Sequence, residues 1–218
     1  MPSGGRASLT MPHPRAPLVP HRVFGVRASG NCHKVRVALD VLGLPCRWHE
    51  VDILAGGSRT PEFLAMNPNG RVPVLQIDDH TFLAESNAIL CYLADGSSLW
   101  PGDRLARAQA LQWLFFEQYS HEPAIAVARF IRRFLQRDDD PRLPDLARRG
   151  HAALAVMEGH LSRHEFFAAG RFTIADIALF AYTHRADDGG FDLAAYPAVR
   201  TWLERCRSVP GVSDMPGP

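Results

Sequence analysis

Three short stretches carry residue types that could do chemistry. Ser29-Gly30-Asn31-Cys32-His33-Lys34-Val35 puts a hydroxyl, a carboxamide and a thiol within four positions. If this stretch opens a helix, free N–H groups and about half a positive charge collect at its start. That is a good place to hold a sulfur anion. A hydroxyl or amide donor together with the helix end lowers a thiol pKa from about 8.5 by roughly two units. Ser29 and Asn31 can both donate, although Ser29 also fits a plain N-cap. Cys32 follows Ser29 at the separation of a CxxC pair whose first cysteine is absent, so dithiol exchange at this pair is excluded. Cys32 reads as a packed first-turn thiol rather than a nucleophile.

The second stretch is Asn67-Pro68-Asn69-Gly70-Arg71-Val72-Pro73-Val74-Leu75. A proline opening a strand cannot donate to the ladder. A cis Val72–Pro73 bond would turn the Val72 backbone outward, where it could pair with an extended, peptide-like ligand. An ordinary trans proline at a strand start is the plainer alternative. The third stretch is Glu85-Ser86-Asn87-Ala88-Ile89. Ser86 at a helix start could hold a carboxylate through its hydroxyl and N–H, while Glu85 accepts from an ammonium. The pair would equally serve as a cap. A fourth motif, Thr173-Ile174-Ala175-Asp176, has the spacing of a capping box, and we expect its loss to hurt folding more than chemistry. The four cysteines have no zinc spacing, and Asp138-Asp139-Asp140 reads as a solvated loop run, so no metal site is expected.

These stretches need elements to place them. His21 to Val26 reads as a strand, Asn31 to Leu42 as a helix stopped by Gly43, and Cys46 to Val51 as a second strand. Pro61 to Met66 is a short helix with proline at its start. Pro73 to Ile77 and Thr81 to Leu83 bracket the turn Asp78-Asp79-His80. Glu85 to Ala94 is a helix. The order is βαβαββα. Residues 97–103 lie in a turn-rich linker, and beyond it the strand signal vanishes. Residues 104–136 form one long helical pattern bent near Pro123. Arg142 to His164, Ile174 to His184 and Ala198 to Cys206 are further helices. The fold class is an α/β domain over 21–96 followed by an all-α domain over 104–212. Residues 1–20 carry five prolines and read as a disordered arm rather than a secretory signal.

Composition narrows the function classes. At 218 residues, 46% hydrophobic and 22% charged, the chain can bury a sizeable core. A formal net charge of +1 gives no reason to expect a nucleic-acid or membrane partner. No stretch is long and apolar enough to span a bilayer. Sparse, unpaired cysteines fit a reducing compartment, so a cytoplasmic location is expected. Of the 24 Lys and Arg residues, Lys34 is the single lysine, a skew that reads as codon bias.

Taken together and in this order, S-G-N-C-H-K-V, N-P-N-G-R-V-P-V-L, E-S-N-A-I and F-T-I-A-D resemble the cytosolic glutathione transferase family from about His21 to Val212. The resemblance implies a thioredoxin-like N-terminal domain and a glutathione co-substrate without a metal. Ser29 falls where serine-type members hold the glutathione sulfur. Asn31 falls where a bacterial group uses an asparagine, and this sequence keeps both. Val72, before the family's cis-proline Pro73, would pair with the cysteinyl backbone. Glu85 and Ser86 would hold the γ-glutamyl end, and Arg71 the glycyl carboxylate. No tyrosine lies near the first helix, against the tyrosine-type classes. The implied reaction conjugates the glutathione thiolate to a small hydrophobic electrophile bound near Phe115, Phe116, Tyr119 and His121. Glutathione-dependent disulfide reduction, isomerisation or dehalogenation are alternatives, with a non-catalytic interaction domain the third. A homodimer is expected.

Overall fold

A computed structural model describes residues 20–217. The segment read as a disordered arm, apart from Pro20, lies outside the described residues. Four strands form one mixed sheet in the order β2-β1-β3-β4. They are β1 (His21–Gly25), β2 (Cys46–Glu50), β3 (Val74–Gln76) and β4 (Phe82–Ala84). β1 runs parallel to β2 and antiparallel to β3, with Val23 opposite Leu75. Strand alternation sends Val23 and Leu75 to one face and Phe24 and Val74 to the other. The first face packs against α1 (Gly30–Val41) and α3 (Ser86–Ala94) through Val35, Leu39, Ile89 and Leu90. The second meets Phe63 of α2 (Pro61–Met66). Pro73 stands just outside β3, because a residue without an N–H adds nothing to the ladder. This is the thioredoxin-like arrangement expected from the βαβαββα order.

Five α-helices follow: α4 (Arg104–Phe116), α5 (Glu122–Arg129), α6 (Leu143–Leu161), α7 (Ile174–Thr183) and α8 (Pro197–Arg207). The long pattern at 104–136 is not one regular helix. A π-helical turn, Glu117–His121, joins α4 to α5, and the Glu122 N–H reaches back to the Glu117 carbonyl. Pro123 has no N–H for the Tyr119 carbonyl, which is why the ladder widens here.

Every residue of α7 is buried, and apart from Asp176 and Thr183 its side chains are apolar or aromatic on every side, as a helix at the centre requires. Its Ile174, Ile177 and Ala178 enter the core of the α/β unit, while Leu179, Phe180 and Tyr182 enter that of the helical unit. The capping box is formed. Thr173 and Asp176 cap each other, and Asp176 also accepts from the Phe167 N–H at 3.1 Å and Trp202 Nε1 at 3.0 Å. One carboxylate thus ties the α7 start to α8 and to the preceding loop.

Three buried histidines set the response to acid. Burial lowers His33 and His121 to about 3 and lowers His184 as well. Met215 donates its N–H to His184 Nε2 at 2.9 Å, a bond that requires an unprotonated nitrogen. Below the ordinary value of 6.5 the unfolded chain takes up protons that the fold refuses, so stability falls with pH from there towards the folded values. Asp176, pushed up to about 6 by burial, acts oppositely, because between 3.8 and 6 the fold holds the extra proton. Glu117, which burial also raises, acts in the same sense as Asp176, and the three imidazoles outweigh the two carboxyls. The urea midpoint is expected to drop between about pH 7 and about pH 5, and a rise over that interval would contradict neutral buried histidines.

Candidate functional site

The loop before β3 is shaped by Asn67. Its Oδ1 accepts the Asn69 N–H at 3.1 Å and its Nδ2 donates to the Arg71 carbonyl at 2.8 Å. Gly70 sits at φ +62°, and a Cβ there would lie 2.5 Å from the Arg59 guanidinium. Arg59 in turn donates to the Asn69 carbonyl at 3.1 Å. The loop is therefore pinned, and it delivers Arg71, Val72 and a cis Val72–Pro73 bond. The Val72 N–H and C=O form no hydrogen bond among the described residues, so they are free for an extended ligand.

Glu85 holds φ +65°, a conformation that costs a non-glycine residue about 1–3 kcal/mol, immediately before α3. It stays exposed while Ser86 is buried. Six of the seven residues singled out from sequence (Asn31, Arg71, Val72, Pro73, Glu85 and Ser86) line one cavity of about 410 Å³. Gln118, Glu122, Pro123 and Val127 of the helical unit close its other side. Ser29 is not among the lining residues. It is half-buried at the start of α1, makes no side-chain cap, and lies beside the Cys32 thiol. Burial pushes that thiol up to about 12, so Cys32 is a packing residue.

Beneath the cavity lies a polar network that sequence reasoning missed. Lys34 is fully buried and its three ammonium hydrogens meet three acceptors. These are Glu117 Oε2 at 2.8 Å, Ser86 Oγ at 3.3 Å and Asn87 Oδ1 at 3.3 Å. Ser86 passes its hydroxyl hydrogen to Asn31 Oδ1 at 3.2 Å, and Asn31 Nδ2 donates to Glu122 Oε1 at 3.3 Å. The Ser86 hydroxyl is thus occupied within the protein. What remains for a carboxylate ligand is the backbone N–H at the start of α3. A signal for Lys34 was present, since it sits four residues before Ala38 on the inward face of α1.

A second cavity of about 560 Å³ adjoins the first and shares Asn31, Arg71, Val72, Glu122 and Val127 with it. Ile53, Ala126, Phe130 and Tyr182 complete its apolar side. This differs from the wall expected on the long helix. Phe115 and Tyr119 are 70% and 85% exposed, and Phe116 borders a separate cavity beside Arg149 and Val156. His121 is buried against Thr183 Oγ1 at 2.9 Å. Phe115 and Tyr119, four positions apart, share an outward face of the helix, so an aromatic stripe at helical spacing marks a face without saying what that face meets.

A tyrosine does reach the first helix, but from far along the chain. The Tyr182 hydroxyl accepts the Asn31 N–H at 3.3 Å. Its ring lies against Gly30, where a Cβ would come within 2.5 Å of ring carbons. Elsewhere, the His160 and His164 rings stack with centroids 4.4 Å apart. No group of three or more metal-ligating side chains occurs among the described residues.

Two family descriptions match the chain: "Glutathione S-transferase, N-terminal domain" over residues 28–95 and "Glutathione S-transferase, C-terminal domain" over 140–205. Glutathione S-transferase 2 of Anopheles gambiae is 31% identical over 191 residues, covering 84% of this chain and 88% of that protein. The chain belongs to the glutathione S-transferase family. Within the family, the disulfide-bond oxidoreductase YfcG of Escherichia coli K12 is also 31% identical, over 84% of this chain and 89% of that one. A solved glutathione S-transferase from Pseudomonas fluorescens Pf-5 superposes with a TM-score of 0.88 at 51% identity, covering 90% of this chain and 99% of that one. A glutathione transferase family member from the same organism, solved with two glutathiones bound, has a TM-score of 0.76 at 29% identity over 88% of this chain and 89% of that one.

The buried pair makes a stability prediction. Lys34→Met strands the Glu117 carboxylate and should cost about 3–5 kcal/mol. Adding Glu117→Gln removes the stranded charge and should restore most of that loss. Urea unfolding of both variants measures it, and a double variant no more stable than the single would refute the pairing.

Proposed function

We propose that this family member is a glutathione transferase that joins the glutathione thiolate to small hydrophobic electrophiles. The observation that carries this reading is the meeting of the two cavities at Asn31 and Val72. Glutathione occupies the smaller cavity, with its cysteinyl backbone on Val72. Its γ-glutamyl ammonium lies at Glu85, its γ-glutamyl carboxylate at the Ser86 N–H and its glycyl carboxylate at Arg71. The sulfur then lies at the junction, where Asn31 Nδ2 has a second hydrogen to donate. That hydrogen and the start of α1 favour the thiolate. The thiol proton leaves to water, sulfur attacks the electrophilic carbon in the larger cavity, and the leaving group departs with the displaced electron pair. Ser29, off the cavity, supports the loop rather than the sulfur.

A second reading is glutathione-dependent disulfide reduction. It draws on the YfcG relative and on the family member solved with two glutathiones bound. We further propose a homodimer, formed through the exposed Phe115, Tyr119 and Val156, and a cytoplasmic location.

Asn31→Ala should lower kcat/KM with an aryl halide by about 10- to 100-fold, the loss of a charge-assisted donor, and Ser29→Ala by less than about threefold. Glutathione mixed disulfides assayed alongside separate the two reactions. A wild-type protein that neither binds immobilised glutathione nor turns over either substrate would overturn both readings.

A further inference from the structure

We propose that the Tyr182 hydroxyl is a catalytic hydrogen-bond donor to the electrophile, which makes electrophiles that develop an oxyanion, such as α,β-unsaturated carbonyl compounds, the preferred substrate class. The inference deepens the transferase reading and rests on it.

Four observations lead there. Tyr182 lines the larger cavity but not the smaller one, so it stands on the electrophile's side of the junction. Its oxygen accepts the Asn31 N–H at 3.3 Å, and no acceptor for its own hydrogen occurs among the described residues. The ring is held in place, because Gly30 leaves room for it that any side chain at that position would fill. Burial, reinforced by the nearby Glu122 and Glu117 charges, pushes the phenol well above its ordinary 10. The hydroxyl therefore keeps its proton, and that hydrogen is the one it has to donate while its oxygen accepts from Asn31.

The chemistry follows from what such a donor can stabilise. When the thiolate adds to an enone, the S–C bond forms at the β-carbon. The C=C pair moves to make an enolate, and negative charge gathers on the carbonyl oxygen. The Tyr182 O–H bonds that oxygen without giving up its proton. Water then protonates the α-carbon, and the thiol proton released earlier balances the reaction. Displacement at an alkyl halide creates no oxygen anion, so the same donor contributes little there. A fixed donor in a water-poor cavity stabilises a developing oxyanion far more than it does a ground-state carbonyl.

The test compares wild type with Tyr182→Phe on an α,β-unsaturated ketone and on an alkyl halide, with glutathione affinity measured by calorimetry. The ketone's kcat/KM is expected to fall by about 10- to 100-fold and the halide's by less than about threefold. Because both rates come from one preparation, the halide rate reports whether the variant folds. Equal losses on both substrates, no loss on either, or a wild type that uses the halide but not the ketone would overturn the inference and leave the transferase reading intact. A wild type that binds no glutathione would instead remove the reading on which it rests.

Discussion

Lys34 and Glu117 face each other at 2.8 Å, both wholly out of solvent, one from the α/β unit and one from the helical unit. Two buried charges bear a desolvation penalty of several kcal/mol each, and their attraction offsets it only when the geometry is good. Here it is good on the lysine side, where all three hydrogens are used. Burial still pushes Glu117 upward, and Lys34 and Asn87 pull against it. An apolar pair would fill the same space at no such risk. What the ion pair adds is direction.

An ammonium can only donate and an ionised carboxylate can only accept. Between Lys34 and Glu122 lie a hydroxyl and a carboxamide, each able to do either. With a donor fixed at one end and an acceptor at the other, the chain Lys34–Ser86–Asn31–Glu122 has one polarity. Ser86 must accept from Lys34 and donate onward, so Asn31 presents Oδ1 to Ser86 and its NH₂ to Glu122 and the cleft. The amide orientation that a sulfur anion requires is thus set by the charges at the two ends of the chain, Lys34 beneath the cavity and Glu122 in its wall. The same chain stitches α1 and α3 to the π-helical turn and α5, so the cavity forms only when the two units are docked.

Much of this was legible in the sequence. The βαβαββα order and the Thr173–Asp176 cap follow from local rules, since each depends on neighbours within a few positions. The cis bond at Pro73 and the six cavity-lining site residues were set by the family resemblance, since local rules alone favoured a trans proline and plain caps. What stayed hidden depends on distance or on which way a helix face points. Tyr182 meets Asn31 across 151 positions, a contact no local pattern carries. The single lysine looked like codon bias because its partners lie 52 to 83 residues away. The aromatic wall was misplaced because helical spacing puts Phe115 and Tyr119 on one face without saying whether that face meets the cleft or solvent. Ser29 and Asn31 could not be separated by spacing, since both flank the same helix start. Only the cavity's outline distinguishes them.

The central claim is that the polar chain aims Asn31 at the sulfur. A crystal structure of the protein with an S-alkyl glutathione tests it most directly. The account predicts the ligand sulfur within about 3.6 Å of Asn31 Nδ2, clear of Ser29 Oγ, with the cysteinyl backbone paired to Val72. A sulfur bonded to Ser29, with Asn31 still turned to Ser86 and Glu122 but remote from the ligand, would contradict it.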